Sequence, residues 1–134
     1  IMKTEQNKQT ILSFFEQFSK ANVTEALTYL DDDIVWQAMG IKGELPMSGT
    51  MDKKAIGELI TTVKAMMPEG LELKPIGWTV EDDRVAAEFI SYGKLSNGKV
   101  YNNPYHFLFQ FSNGKIIKIK EYMDTLHAKS IFID

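Results

Sequence analysis

Residues 101–123 read YNNPYHFLFQFSNGKIIKIKEYM, and this stretch decides the fold. Tyr101, Asn103, Tyr105, Phe107 and Phe109 share one parity, alternating with Asn102, Pro104, His106, Leu108 and Gln110. That is the period of a strand whose two faces meet different surroundings. Ser112-Asn113-Gly114-Lys115 then sets Asn-Gly between two such runs, the strongest short signal of a hairpin. On the run from Lys115 to Met123, Lys118 and Lys120 belong in water, which puts Ile117, Ile119 and Glu121 on the inner face. Glu121 is the anomaly. An unpaired carboxylate carried into an apolar interior has its pKa raised and costs stability.

Upstream, Ser96-Asn97-Gly98-Lys99 holds a second Asn-Gly turn, and Leu71 to Val80 and Arg84 to Lys94 are strands joined by Glu81-Asp82-Asp83. The Arg84 strand mixes its faces. Ala86, Glu88, Ile90 and Tyr92 make one set, Val85, Ala87 and Phe89 the other. Pro104 can bulge the following strand, which leaves open whether Tyr105 or His106 faces inward.

The first half is helical. Ile11, Leu12, Phe14, Phe15 and Phe18 recur at helical spacing behind Thr4 as N-cap. Thr24 caps a short second helix bearing Ala26, Leu27 and Leu30, which Asp31-Asp32-Asp33 ends. Ile34-Val35-Trp36 starts a first strand, with Trp36 and Ala38 inward. Residues 40–51 form a loop flanked by Met39, Met47 and Met51, adaptable side chains suited to a pocket mouth. Asp52 caps a third helix with the stripe Ala55, Ile56, Leu59, Ile60, Val63 and Met67, stopped by Pro68-Glu69-Gly70. The order is α-α-β-α-β-β-β-β, one α+β domain over residues 1–134. Ile1, which precedes Met2, is set aside.

Composition narrows the function. The chain has 134 residues, 44% hydrophobic and 25% charged, enough for a core without staples. There is no cysteine, so a disulfide framework and a thiolate metal site are excluded and a reducing, cytoplasmic location is expected. A net charge of −3 argues against a nucleic-acid surface. No apolar run approaches the ~20 residues of a membrane span, and the polar start from Met2 to Gln9 is unlike a signal peptide. His106 and His127 are the only histidines, too few and too far apart for a zinc site. Asp31-Asp32-Asp33 without further oxygen ligands is weak as a cation site, so no metal is assigned.

The element order, the opening Leu30-Asp31-Asp32-Asp33-Ile34-Val35-Trp36 and the ending Gly114-Lys115-Ile116 through Glu121-Tyr122-Met123-Asp124 resemble the SnoaL-like branch of the nuclear-transport-factor-two-like superfamily, related to ketosteroid isomerases. The resemblance implies a cone: a curved antiparallel sheet wrapped around the three helices, a cystatin-like α+β barrel with a pocket at its wide end. It also implies a homodimer through the outer sheet face. It favours Glu88 and Tyr92 facing the pocket. With Trp36, Asn103, Tyr105 and Phe107 they would make an aromatic site for a small apolar ligand, with Glu121 and Glu88 as candidate catalytic acids.

Two chemistries of the superfamily fit poorly. A ketosteroid isomerase needs an aspartate base on the first strand and a tyrosine on the first helix, where Gln37 and Phe15 stand. A limonene epoxide hydrolase needs an Asp-Arg-Asp network with a tyrosine and an asparagine holding water. Trp36, Ala38, Glu88 and Ile90 fall at those places, and only Glu121 keeps an acid. A cyclase of SnoaL type needs no cofactor or metal. Glu121 would take a proton α to a carbonyl, and Tyr105, Asn103 or His106 would hold the enolate. The alternative is a non-catalytic ligand-binding or protein-association module.

Overall fold

The computed structural model describes residues 2–134; Ile1 lies outside them. The order is α1 (Lys3–Ser19), α2 (Val23–Leu27), β1 (Leu30–Ala38), β2 (Gly49–Met51), α3 (Lys53–Met66), β3 (Glu72–Glu81), β4 (Arg84–Lys94), β5 (Val100–Tyr101), β6 (Pro104–Ser112), β7 (Lys115–Met123) and α4 (Thr125–Phe132). The α+β class stands. The sheet is seven-stranded in the order β2-β1-β7-β6-β4-β3, with β5 paired to β4. It is curved and left open between β2 and β3.

Four features differ from the expected plan. The sheet is mixed, because β7 runs parallel to β1, with Trp36 beside Ile119 and Ala38 beside Glu121. Strand β1 starts at Leu30, earlier than expected. Asp31 Oδ1 accepts from the Asp33 N–H at 2.8 Å, and the register shifts between Leu30 and Val35, so the acidic triplet is an irregular stretch inside the strand. The segment expected to be pure loop closes with β2 against β1. The chain then ends in α4, a fourth helix. Asp124 Oδ1 caps it by accepting from Leu126 N (3.0 Å) and His127 N (3.2 Å).

Asp52 caps α3 as expected, accepting from Ala55 N at 2.9 Å, and Ile56, Ile60 and Val63 bury its stripe. Met2 and Asn22, not Thr4 and Thr24, hold the N-cap positions of α1 and α2, and neither makes a side-chain cap bond. At the Asn113-Gly114 turn both residues have positive φ (50° and 78°), as the tight hairpin requires.

The core is aromatic. Phe14, Phe15 and Phe18 of α1 lie on the inner face of the sheet, where Phe15 meets Phe89 and Phe107, each at 5.3 Å between ring centres. Pro104 starts β6 without flipping it: Tyr105, Phe107, Phe109 and Phe111 point in and His106 points out. Its cross-strand partners follow, Phe89 opposite Tyr105 and Ala87 opposite Phe107. That settles β4. Val85, Ala87 and Phe89 are the buried set, and Glu88 and Tyr92 lie on the outer face, Tyr92 at 57% exposure. On β7 the register shifts near Ile117, so Ile116, Ile119 and Glu121 face inward while Lys118 and Lys120 turn away.

Gly70 ties the end of α3 to the end of α1. It has φ +96°, and a Cβ there would stand 2.7 Å from the Ser19 carbonyl oxygen. Gly98 has a similar φ (+89°) but open space around it. Gly98→Ala carries only left-handed strain, about 1–2 kcal/mol. Gly70→Ala adds a backbone collision and is expected to cost roughly 2–4 kcal/mol. Urea unfolding of both variants checks this, with a lower midpoint for Gly70→Ala than for Gly98→Ala.

Candidate active site

The helices and aromatic rings fill the narrow part of the cone and leave a cavity of about 430 Å³ at the wide end. Its wall is built from Trp36 and Ala38 of β1, Tyr105 of β6, and Glu121 and Met123 of β7. Helix α3 adds Leu59, Val63 and Met66, and the segment Pro46–Met51 forms one side of the mouth. Tyr101 and, from α4, Phe132 close the other side. Met47, Met51, Met66, Met67 and Met123 all border the space, so much of the wall is flexible and apolar.

Glu121 is the one carboxylate in this lining. It keeps a little accessible surface where it borders the cavity. Burial pushes its pKa up to about 7, and the Trp36 indole offsets this in part. No cation is among the groups that set it. Trp36, 2% exposed, has an Nε1–H without a hydrogen-bond partner of normal geometry, so its effect on Glu121 acts at longer range than a made bond.

Beside Glu121 stand two tyrosines whose hydroxyls bond to each other, Tyr101 and Tyr105. Asn103 anchors this pair. Its Oδ1 accepts the Asp124 backbone N–H (3.1 Å), which fixes Nδ2 as the amide nitrogen. Nδ2 donates to the Asp124 carbonyl (2.9 Å) and to the Tyr101 hydroxyl (3.1 Å). Tyr101 therefore accepts from Asn103 and keeps one proton to give. Its candidates are the Tyr105 oxygen and the weakly accepting Met123 Sδ at 3.5 Å. If the proton goes to Tyr105, the Tyr105 proton is free for the cavity; if it goes to Met123, Tyr105 donates to the second lone pair of Tyr101. Burial holds Tyr101 up to about 12 and Tyr105 well above its ordinary value, where the charge of Glu121 adds to the effect. Both phenols stay protonated donors through the neutral range.

The expected site residues separate cleanly. Trp36, Tyr105 and Glu121 meet at the cavity. Phe107, 0% exposed, packs beneath it as core, stacked on Tyr105 at 5.1 Å. Asn103 is buried behind the wall and reaches the site only through Tyr101. Glu88 and Tyr92 are on the wrong face of β4 for any ligand in the cone. His106 is outside too, and Gln37, between Trp36 and Ala38, has the outward parity. His127 lies on α4, stacked on Tyr101 at 5.5 Å, with Nε2 accepting the Asn102 N–H. Among the described residues no three His, Asp or Glu side chains gather as metal ligands would. Tyr101 and Phe132 were overlooked in the sequence. Tyr101 shares the parity of Tyr105, and an Asp cap before Thr125 with Ala128, Ile131 and Phe132 behind it signalled the helix.

This open, curved α+β sheet with a pocket at its wide end defines a class of fold, and the sequence says which branch it is. The family model of the SnoaL-like domain matches residues 11–119, and the chain belongs to that family. Comparison with curated proteins finds no match. Among solved structures, Bal32a from a soil-derived mobile gene cassette superposes with a TM-score of 0.82 at 19% identity, covering 99% of this chain and 100% of its own. TerC, crystallised with polyporic acid, gives 0.79 at 19% identity over 93% of this chain and 96% of TerC. A candidate SnoaL-like polyketide cyclase from a Jannaschia species gives 0.77 at 16% identity over 95% and 91%. These likenesses establish the shared fold.

The raised pKa of Glu121 has a consequence for stability. The folded protein holds the proton to about pH 7 whereas an unfolded glutamate releases it near 4.5. Below 4.5 both states are protonated and Glu121 costs nothing; as pH rises toward 7 the native state carries a growing penalty. At pH 8 that penalty is on the order of 2–3 kcal/mol. Glu121→Gln is therefore expected to match the wild type in urea at pH 4.5 and to exceed it at pH 8. Equal midpoints at both pH values would show an ordinary, solvated carboxylate.

Proposed function

We propose that the cavity binds a small, largely apolar carbonyl compound and that Glu121 moves a proton on it without a cofactor, in an isomerisation or cyclisation. One observation carries this reading: a single carboxylate, its pKa raised to about 7 by burial, in a cavity lined mostly by apolar side chains. The ionised carboxylate takes a proton from the carbon next to the carbonyl. The C–H electron pair moves into the enolate, whose oxygen receives a hydrogen bond from Tyr105, with Tyr101 donating to Tyr105 in turn. In an isomerisation Glu121 returns the proton to another carbon. In a cyclisation the enolate carbon attacks a second carbonyl of the same molecule, and the new alkoxide takes the proton. TerC, a relative in fold, has been crystallised with polyporic acid, which supports a cone of this kind as a container for an organic ligand.

The probe is 1-tetralone in heavy water, with deuterium uptake at C2 followed by NMR. The protein is expected to speed uptake above buffer, with a rate that rises through about pH 7 as Glu121 ionises. Glu121→Gln should lower it by about 100-fold or more. If 1-tetralone binds and exchange stays at the buffer rate, the cavity is a container only and the catalytic reading falls.

The outer face of the sheet favours a second copy of the chain as partner. Tyr92 (57% exposed) and Tyr122 (41%) stand on β4 and β7, facing away from the core. Two exposed tyrosines on one sheet face favour association over solvation. Sedimentation is expected to give a dimer, and Tyr92→Lys combined with Tyr122→Lys a folded monomer. A wild-type protein that sediments as a monomer at high concentration would refute the pairing.

A further inference from the structure

Among the described residues two buried side-chain donors lack a partner, Asn7 Nδ2 and Trp36 Nε1. Trp36 is 2% exposed, and Phe14 at 6.1 Å, Phe18 at 6.2 Å and Phe107 at 6.4 Å enclose its ring. Solvent does not reach the nitrogen, so an acceptor must come from the protein. An N–H buried without one is costly, and native interiors rarely keep it.

The register names the acceptor. Trp36 and Ala38 share the inner face of β1, and β7 runs parallel beside it, with Ile119 level with Trp36 and Glu121 level with Ala38. Trp36 and Glu121 are therefore diagonal neighbours on one face, with backbones on the order of 8 Å apart, a gap that an indole and a glutamate span together. No competing charge stands there. Of the side chains lining the cavity only Tyr101 and Tyr105 titrate besides Glu121, and both stay protonated through the neutral range. Strand β1, helix α3 and the segment Pro46–Met51 bring no charged group to the lining. Helix α4 brings Phe132, and its His127 stacks on Tyr101 without bordering the cavity. Lys118 and Lys120 of β7 turn away.

We propose that Trp36 is a positioning residue whose Nε1–H donates to the Glu121 carboxylate once it is ionised and so orients the base for proton transfer. An indole is a donor only and carries no charge. A hydrogen bond to a carboxylate is roughly twice as strong as one to a neutral acceptor, so Trp36 favours the ionised form. A lysine or arginine in its place would hold the carboxyl in its ordinary range or below, and an apolar ring would leave it mostly protonated at neutral pH. The indole sets the balance between the two, in keeping with its opposing the effect of burial on Glu121. This rests on the reading of Glu121 as the base and names what readies it.

The main readout needs no ketone. The chain has two tryptophans, so the indole N–H region of the proton spectrum holds two signals, and Trp78→Phe assigns them. The Trp36 signal is expected to move downfield as pH rises through about 7, in step with the titration of the Glu121 carboxyl carbon. In Glu121→Gln it should stay in place over that range. Trp36→Phe keeps a ring in the core and removes the donor. In that variant Glu121 should become a roughly tenfold weaker acid, and the rise of 1-tetralone deuterium uptake should move to higher pH with it. A role in packing alone would move neither. An indole signal that ignores the ionisation of Glu121, or a Glu121 titration unchanged in Trp36→Phe, would overturn the assignment. The indole readout uses the native chain and does not depend on how well the variant folds. It is also independent of deuterium uptake: a titrating indole with no uptake removes the catalytic reading and leaves the bond, and uptake with a still indole removes the bond and leaves the catalysis.

Discussion

The row Tyr105, Phe107 and Phe109 on the inner face of β6 is the constraint on which the rest depends. Phe107 stacks on Tyr105 at 5.1 Å and on Phe109 at 5.4 Å, and Phe15 of α1 presses on Phe107 and on Phe109. Such contacts contribute about 0.5–1.5 kcal/mol each beyond the area they bury. More important is their geometry. The row fixes the parity of β6, β6 fixes the inner face of β4 and of β7 through cross-strand pairing, and α1 can only lie where Phe15 fits. Filling stops at Tyr105. Beyond it the rings give way to methionines and to a hydroxyl pair, and the wide end of the cone stays open.

That open end explains why Glu121 can exist. A carboxylate at the level of Phe107 on β7 would be crushed into the core if the helices extended further. Placed at the boundary, it loses most of its water yet keeps a free face toward the cavity. Its destabilising effect at neutral pH is the kind that folds retain where a site needs it. The core below, wholly apolar around Phe107, carries that load.

Much of this was legible because strands that bury one face write the fact into their period. Parity alone put Glu121 and Trp36 on the inner face, whereas Pro104 left Tyr105 against His106 open until the register of β6 decided it. Glu88 and Tyr92 were misplaced for a physical reason: the outer set of β4 holds Ala86 and Ile90 while the inner set holds Ser91 and Gly93, so hydrophobicity hardly distinguishes the faces. What distinguishes them is pairing, Phe89 with Tyr105, and that register is a tertiary fact. The parallel contact of β7 with β1 is beyond local signals altogether, since more than half of the chain lies between them. Asn103 shows a subtler limit. Its parity correctly put it inside, but whether an inward amide meets a ligand or another side chain depends on how deep the wall is at that point.

Asn103 also binds two parts of the molecule that seem separate. Its amide grips both the N–H and the carbonyl of Asp124, the residue that caps α4, and the same amide donates to Tyr101. Tyr101 in turn is packed between His127 and Phe132 of that helix. The seat of α4 and the place of the two phenols in the cavity wall thus share one side chain, so a change that removes the Asn103 amide loosens the helix and the wall together.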